Sequence, residues 1–150
     1  ITITNKKIKT TVKSKFVGRL FQYSKFNYNN REILFCNVHL NEASCKKGFE
    51  EIKKIFSFTE KIPHDILIFA GDFNSSPISK VYKYLTTKGF KSTIKETFGR
   101  EIKTWPSNKP ETCIDYIWVK GENVEICSAE TFGESFETDH KGIKCCLDIN

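Results

Sequence analysis

Apolar residues recur along this chain at two spacings, and the switches between them mark out its elements. Alternating aromatics from Phe21 to Tyr28 have the period of a half-buried strand. Asn29-Asn30 suits a two-residue turn, and Ile33 to His39 reads as the returning strand of a hairpin. The period then lengthens. Cys45, Phe49, Ile52 and Phe56 fall at i, i+4, i+7 and i+11, the apolar face of a helix. Lys46, Lys47, Glu50, Glu51, Lys53 and Lys54 cover its other side, and Asn41 is a candidate N-cap. Lys61-Ile62-Pro63 closes that region, and Asp65 to Ala70 is a nearly continuous apolar run, the pattern of a buried strand. Ser76 followed by Pro77 predicts a helix start, with Ile78, Val81 and Leu85 as its buried face and Gly89 at the position that ends it. Residues 91–113 are mostly polar and read as a surface loop carrying Trp105-Pro106. Ile114 to Val119, Val124 to Phe132 and Lys141 to Ile149 complete the set as strands. Roughly six strands and two helices make the class α/β, and the length predicts a single domain over residues 1–150.

The chemistry-bearing residues gather at the ends of these strands. After Ile66-Leu67-Ile68-Phe69-Ala70 come Gly71-Asp72-Phe73-Asn74. Period-2 geometry aims Asp72 and Asn74 the same way and Phe73 opposite. The acid can bind or activate a water, while the neutral amide can hold a phosphate without adding repulsive charge. The competing reading is an Asx-turn that caps the following helix. The other groups are Asn37-Val38-His39, Ile114-Asp115-Tyr116 and Thr138-Asp139-His140. Asp115 interrupts an apolar strand and needs a partner there; His140 is the natural one, because a carboxylate would fix its tautomer and favour its charged form. His64, between Pro63 and Asp65, reads as loop.

Phosphodiester cleavage needs an in-line nucleophile, charge stabilisation at phosphorus and help for the leaving oxygen, and a divalent cation commonly supplies the second. Asp72, Asp115 and Asp139, together with two histidines and two asparagines, offer hard oxygen ligands and no soft set, which suits Mg²⁺ or Mn²⁺. The six cysteines form no CxxC pair, so a zinc site is not expected. Cys36, Cys113 and Cys127 sit in or beside strand-like runs and read as small core residues, and the spacing favours a reduced, intracellular setting. Charge changes the picture modestly. A net +6 favours anionic partners such as nucleic acid, although the lysines are scattered rather than clustered. No apolar run is long enough for a transmembrane segment, and the opening residues Ile1 to Lys15 lack a signal-peptide core.

Together, Asn37-Val38-His39-Leu40, Gly71-Asp72-Phe73-Asn74-Ser75-Ser76-Pro77, Ile114-Asp115-Tyr116-Ile117 and Thr138-Asp139-His140 resemble the endonuclease/exonuclease/phosphatase superfamily, in the family's order. The resemblance runs from about Phe21 to the C-terminus and covers what looks like the C-terminal half of the domain. It implies a partial four-layer α/β sandwich with mixed, largely antiparallel sheets, as in deoxyribonuclease-like folds. It implies Mg²⁺-dependent phosphodiester hydrolysis by an activated water. By resemblance, His39 contacts the phosphate and assists the leaving group, Asp72 orients or deprotonates the water, and Asn37 and Asn74 bind phosphate. Asp115 pairs with His140, His140 stabilises charge on phosphorus, and Asp139 is a metal-side acid. Thr138 stands where the family usually has serine.

One departure is serious. The family places an asparagine and a metal-binding glutamate upstream, and residues 1–20 contain no glutamate. The chain is expected to be a fragment of a longer enzyme, one chain of a cleaved pair or a degenerate copy, and its start without methionine inside strand-like sequence favours a fragment or partial gene product whose missing N-terminal half supplies them. The leading expectation is a nuclease. The alternatives are a phosphatase or phospholipid phosphodiesterase of the same superfamily, and an inactive fragment acting as a binding module.

Overall fold

The computed structural model describes residues 14–16, 19–42, 44–133 and 138–150, so most of the opening stretch from Ile1 to Lys15 lies outside it. These residues form eight strands and three helices. In chain order they are β1 (Ser14–Phe16), β2 (Arg19–Tyr28), β3 (Arg31–His39), α1 (Cys45–Thr59), β4 (Ile66–Asp72) and α2 (Lys80–Thr87). Then come β5 (Lys91–Ser92), α3 (Thr93–Phe98), β6 (Asp115–Gly121), β7 (Val124–Phe132) and β8 (Gly142–Ile149). No described helix is long and apolar enough to cross a membrane.

Six strands make one mixed sheet in the order β1-β2-β3-β4-β6-β5, and β7 and β8 make a separate antiparallel pair. The hairpin β2–β3 closes through Asn29 and Asn30, both at positive φ (49° and 61°), the twist that matches two right-twisted strands. β3 and β4 run parallel, which obliges the chain to cross over between them, and α1 is that crossover. The remaining pairings in this sheet are antiparallel.

The two faces of the sheet bury different sets. On one, Ile52, Ile55 and Phe56 of α1 and Val81 and Leu85 of α2 join Leu34, Val38, Leu67, Phe69 and Trp118. Each such side chain contributes about 1.5–3 kcal/mol by leaving water. On the other face, Ile33, Ile66, Ile68 and Val119 meet Ile149, with Val124 and Leu147 packed against them. Helices, mixed sheet and second sheet are therefore successive layers of an α/β sandwich. The apolar cover on the second face stops short: in β3, Phe35, Asn37 and His39 alternate with buried Leu34, Cys36 and Val38, yet all three are exposed.

Several elements differ from the sequence expectation. Ser44, not Asn41, caps α1, and the buried face rotates to Gly48, Glu51, Ile52, Ile55, Phe56 and Thr59, leaving Cys45 exposed. Glu51 is only 3% exposed because its Oε2 accepts the Asn41 N–H at 2.7 Å. A capping role for Asn41 fails because that bond fixes the chain one turn earlier. Ser79, not Ser76, caps α2; Ser76 and Ser79 close a turn first, which puts Ile78 outside the core rather than in it. Gly89 does end α2, with φ 84° and paired bonds from Gly89 N–H to Thr86 O and Phe90 N–H to Leu85 O. Residues 91–113 are not wholly loop, since they contain β5 and α3. Cys36 and Cys113 are buried as expected, whereas Cys127 is exposed: strand alternation puts it on the outer side with Glu125, and the bulge between Ile126 and Ser128 leaves it without a cross-strand partner.

Gly71 is the tightest point of the sheet. Its φ is 134°, and a Cβ there would sit 2.0 Å from Val38 O and 3.2 Å from Asn37 Oδ1. Only glycine lets β3 and β4 pair while the Asn37 side chain lies across the strand. Gly71→Ala is expected to cost about 3 kcal/mol or more, from backbone strain plus a clash with main chain. Gly89→Ala, whose Cβ would meet nothing within 4 Å, should cost about 1 kcal/mol, all of it from φ. Urea melts of the two variants would separate them, and equal losses would count against the close approach.

Candidate functional site

Sheet register assembles the site. His39 pairs with Asp72 across β3–β4, and Asp72 pairs with Asp115 across β4–β6, so these residues form one row over three adjacent strands. Side chains in such a row share a face. His39 Nε2 lies 3.6 Å from Asp72 Oδ2. Asn37 is two residues earlier on the same face, with its Oδ1 over Gly71.

The ladder continues past the strand end, where Leu40 N–H donates to Asp72 O and Phe73 N–H to Ile114 O. Phe73 turns into the core, as alternation requires, and packs edge-on against Tyr116. Tyr116 O–H lies 2.8 Å from Ser75 O and 2.9 Å from Cys113 O, pinning the loop that carries Asn74. Asn74 adopts φ 45°. Its N–H donates to Asp72 Oδ1 at 2.7 Å and its Nδ2 to Leu40 O at 3.0 Å. The Asx-turn reading is therefore correct as local geometry, and it coexists with the row. It orients Asp72 and leaves Oδ2 toward His39, while the second amide hydrogen of Asn74 is uncommitted in these bonds. The Asx-turn does not cap α2, whose N-cap is Ser79, so the free N–H groups of a helix start do not sit beside Asp72.

Asp115 and His140 meet as the sequence suggested: His140 Nδ1–H donates to Asp115 at 3.0 and 3.2 Å. A strap over residues 104–107 holds both. Buried Thr104 accepts the Ile114 and Asp115 N–H groups on its Oγ1, each at 3.3 Å, and its carbonyl accepts Lys141 N–H. Ser107 N–H donates to Asp139 O and its hydroxyl to Thr138 O. Trp105 Nε1–H donates to Asp139 Oδ2 at 3.3 Å. Thr104, Ser107 and Glu51 carried no sequence signal: a lone threonine or serine in a polar stretch looks like loop, and a glutamate between lysines looks like surface.

Burial and charge tune these groups. Burial raises the Asp72 carboxyl above its ordinary 3.8, and the neighbouring Asp115 charge adds to that, against the Asn74 N–H and the imidazoles of His39 and His140. For His140, burial works against the charged form, but the Asp115 hydrogen bond and the charges of Asp115, Asp72 and Asp139 outweigh it and raise the imidazole above 6.5. An acid made more basic beside an imidazole whose charged form is favoured is suited to taking a proton while positive charge faces an anion.

Asp72, Asp115 and His140 each offer an atom within 4.8 Å of the others, a grouping able to hold a metal ion. Two carboxylates meet what a hard divalent cation asks of a protein, since Mg²⁺ keeps several waters. Exposed Asp139 is not in that grouping, although its charge acts on His140. His64 is apart from all of this, with Nδ1 2.6 Å from Ile62 O, consistent with its loop reading.

A model of the Endonuclease/Exonuclease/phosphatase family matches residues 6–140. No curated protein matches the chain. Among solved structures, an endonuclease/exonuclease/phosphatase from Bacteroides vulgatus is similar at 21% identity with TM-score 0.75, over 88% of this chain and 56% of that one. A mannosyl-6-phosphatase from Bacteroides thetaiotaomicron VPI-5482 is 18% identical with TM-score 0.67, over 86% and 57%. D. rerio TDP2 complexed with single strand DNA product is 17% identical with TM-score 0.71, over 94% and 68%. At these identities the likeness is one of fold. The chain spans little more than half the length of the two Bacteroides structures.

The Asp115–His140 pair makes a titration prediction. A raised histidine pKa contributes stability that is fully present below 6.5 and is lost as pH rises through the folded value. NMR titration should place the His140 imidazole above 6.5, and Asp115→Asn should bring it down. An unchanged titration in Asp115→Asn would mean that the pair does not set this charge.

Proposed function

The chain belongs to the endonuclease/exonuclease/phosphatase family, and from that premise we propose that it carries the catalytic corner of a Mg²⁺-dependent phosphoric ester hydrolase, a nuclease in the leading reading. The observation that carries the proposal is the single row His39–Asp72–Asp115, extended by the Asp115–His140 bond. Asp72 takes the proton of the attacking water, for which its raised pKa suits it. Asn74, held by Leu40 O, and Asn37, lying over Gly71, present neutral amides to the phosphate. His140, kept charged and oriented by Asp115, faces the charge that builds on phosphorus. His39 contacts the phosphate and helps the leaving oxygen.

Asp72 and Asp115, which lie together, would hold the cation, which when bound would supply charge stabilisation to the phosphoryl oxygens; Asp139, outside that grouping, is proposed as a metal-side acid at its edge. Mn²⁺ has the same hard-ligand preference and is the natural substitute. A glutamate from an N-terminal half completes that ligand set in the proposed whole protein. The span of little more than half the Bacteroides structures supports this, as does the exposed stretch Phe35–Asn37–His39 on the partly covered sheet face. Single domain organisation over residues 1–150 is proposed in that sense, as one part of a larger sandwich. A phosphomonoester substrate is the second reading, supported by the fold likeness to a mannosyl-6-phosphatase.

The test is hydrolysis of a labelled oligonucleotide and of a sugar phosphate by the whole protein with Mg²⁺. Asp72→Ala and His140→Ala should each lower kcat by about 10²–10⁴-fold. Full activity in either variant would refute the assigned site. Preference for the sugar phosphate would replace the nuclease reading by the second one.

A further inference from the structure

The second sheet carries two thiols that the hydrolase reading does not use. Val124, Glu125 and Ile126 of β7 pair with Ile149, Asp148 and Leu147 of β8, a register that would next bring Cys127 opposite Cys146. The bulge intervenes there, and pairing resumes one residue late with Ser128 on Cys146. Cys127 and Ser128 together thus oppose the single residue Cys146. Both thiols are exposed, on the side of the pair that also carries Glu125 and Asp148. Cys145 is half-buried opposite buried Ala129, on the side where Ile149 meets the core. Successive strand residues point to opposite faces, so Cys145 faces away from both.

Opposed residues of an antiparallel pair hold their Cβ atoms about 4.5–5.5 Å apart, and a disulfide asks for about 3.5–4.5 Å. Cys127 is the extra residue of the bulge, so its main chain can close that difference without unpairing a ladder residue. Its sulfur already leans over β8, where the Asp148 N–H bonds to it. Desolvation, and after it the charges of Cys146, Asp148 and Glu125, raise the Cys127 thiol above its ordinary 9.0, against that N–H. A thiol that keeps its proton is a slow first nucleophile, which suits Cys127 to resolving and leaves Cys146 to meet the oxidant. The carboxylates of Glu125 and Asp148 on the same face disfavour an anionic oxidant and admit a neutral one.

We propose that Cys127 and Cys146 are a modification site, a dithiol that a neutral hydroperoxide converts into a reversible cross-strand disulfide. The Cys146 sulfur attacks a peroxide oxygen, the O–O bond breaks, and water or an alcohol leaves with the Cys146 proton, giving a sulfenic acid. The Cys127 sulfur then attacks the Cys146 sulfur, the S–O bond breaks, and water leaves with the Cys127 proton. Two thiols are oxidised and one peroxide is reduced. A thiol reductant reverses the step. The bond would staple a layer with few partners of its own, since among the described strands β7 and β8 pair only with each other. It would also tie together the strands on either side of the connection that carries His140. None of this depends on the hydrolase reading.

The test exposes the full 150-residue chain to hydrogen peroxide, alkylates the remaining thiols and maps the peptides by mass. A Cys127–Cys146 linked peptide that dithiothreitol removes is the expected product. Cys127→Ser and Cys146→Ser should each abolish it, while Cys145→Ser and Cys45→Ser should leave its yield unchanged. Oxidation should raise the Tm of the unaltered chain by roughly 5–10 °C and that of Cys127→Ser by less than about 1 °C. A link from Cys146 to any other cysteine, or links between chains only, would overturn the pairing. Alkylated Cys127 beside an over-oxidised Cys146 would overturn it as well, because the two sulfurs would then fail to meet. Both thiols recovered alkylated after excess peroxide would show that the site does not react and would end the proposal.

Discussion

The close pairing of β3 with β4 is the constraint on which the rest depends. Two parallel strands joined by α1 must come into register before any site exists, and Gly71 permits the approach by having no side chain where Val38 O passes. That register places His39 against Asp72, and the antiparallel partner β6 then places Asp115 in the same row. A slip of one residue would turn each of these side chains to the helix-covered face. The apolar alternation of β3 resists such a slip, because Leu34, Cys36 and Val38 are buried there. Core packing and site geometry are thus one decision. The bulk of Phe69 and Leu67 against α1 and α2 sets which way Asp72 points.

A second set of bonds completes the site from a region with little regular structure. His140 comes from a loop, and its position is inherited from the strap over residues 104–107. The main chain and hydroxyl of Thr104 connect the start of β6 to Lys141. These bonds are buried or half-buried, so each unmade one would cost about 1–3 kcal/mol. The strap can therefore hold a loop residue with the firmness of a strand. Tyr116 does the same for the Asn74 loop from the opposite face of β6, so neighbouring residues of one strand serve the site in two directions.

How much of this is legible in the sequence follows from which forces act locally. Strands bounded by apolar alternation and the Asn29-Asn30 turn can be read because period and turn chemistry are properties of a few adjacent residues. The site residues Asp72, Asp115 and His140 can be read because polar groups at the ends of apolar runs need a reason to be there. The starts of α1 and α2 are misplaced by the same logic, since Asn41 and Ser76 have capping chemistry but Ser44 and Ser79 lie where the helices can pack. The lysine neighbours of Glu51 assign it to the surface, and only the fold supplies the Asn41 N–H that buries it. Thr104 is invisible for a like reason, as its value lies in partners ten or more residues away.

Charge balance ties the row to its surroundings. Asp72, Asp115 and Asp139 put three carboxylates near the place where a phosphate would enter, and like charges repel it. Protonating Asp72 relieves part of this, in keeping with its raised pKa, but a protonated acid cannot activate water. Both oxygens of Asp115 face His140 Nδ1, so that imidazolium offsets one carboxylate and little more. A cation within the row would offset the remaining carboxylates at the point of reaction. The row therefore carries more negative charge than its own imidazoles offset, which is the electrostatic reason the acids it aligns would hold a metal in the proposed hydrolase.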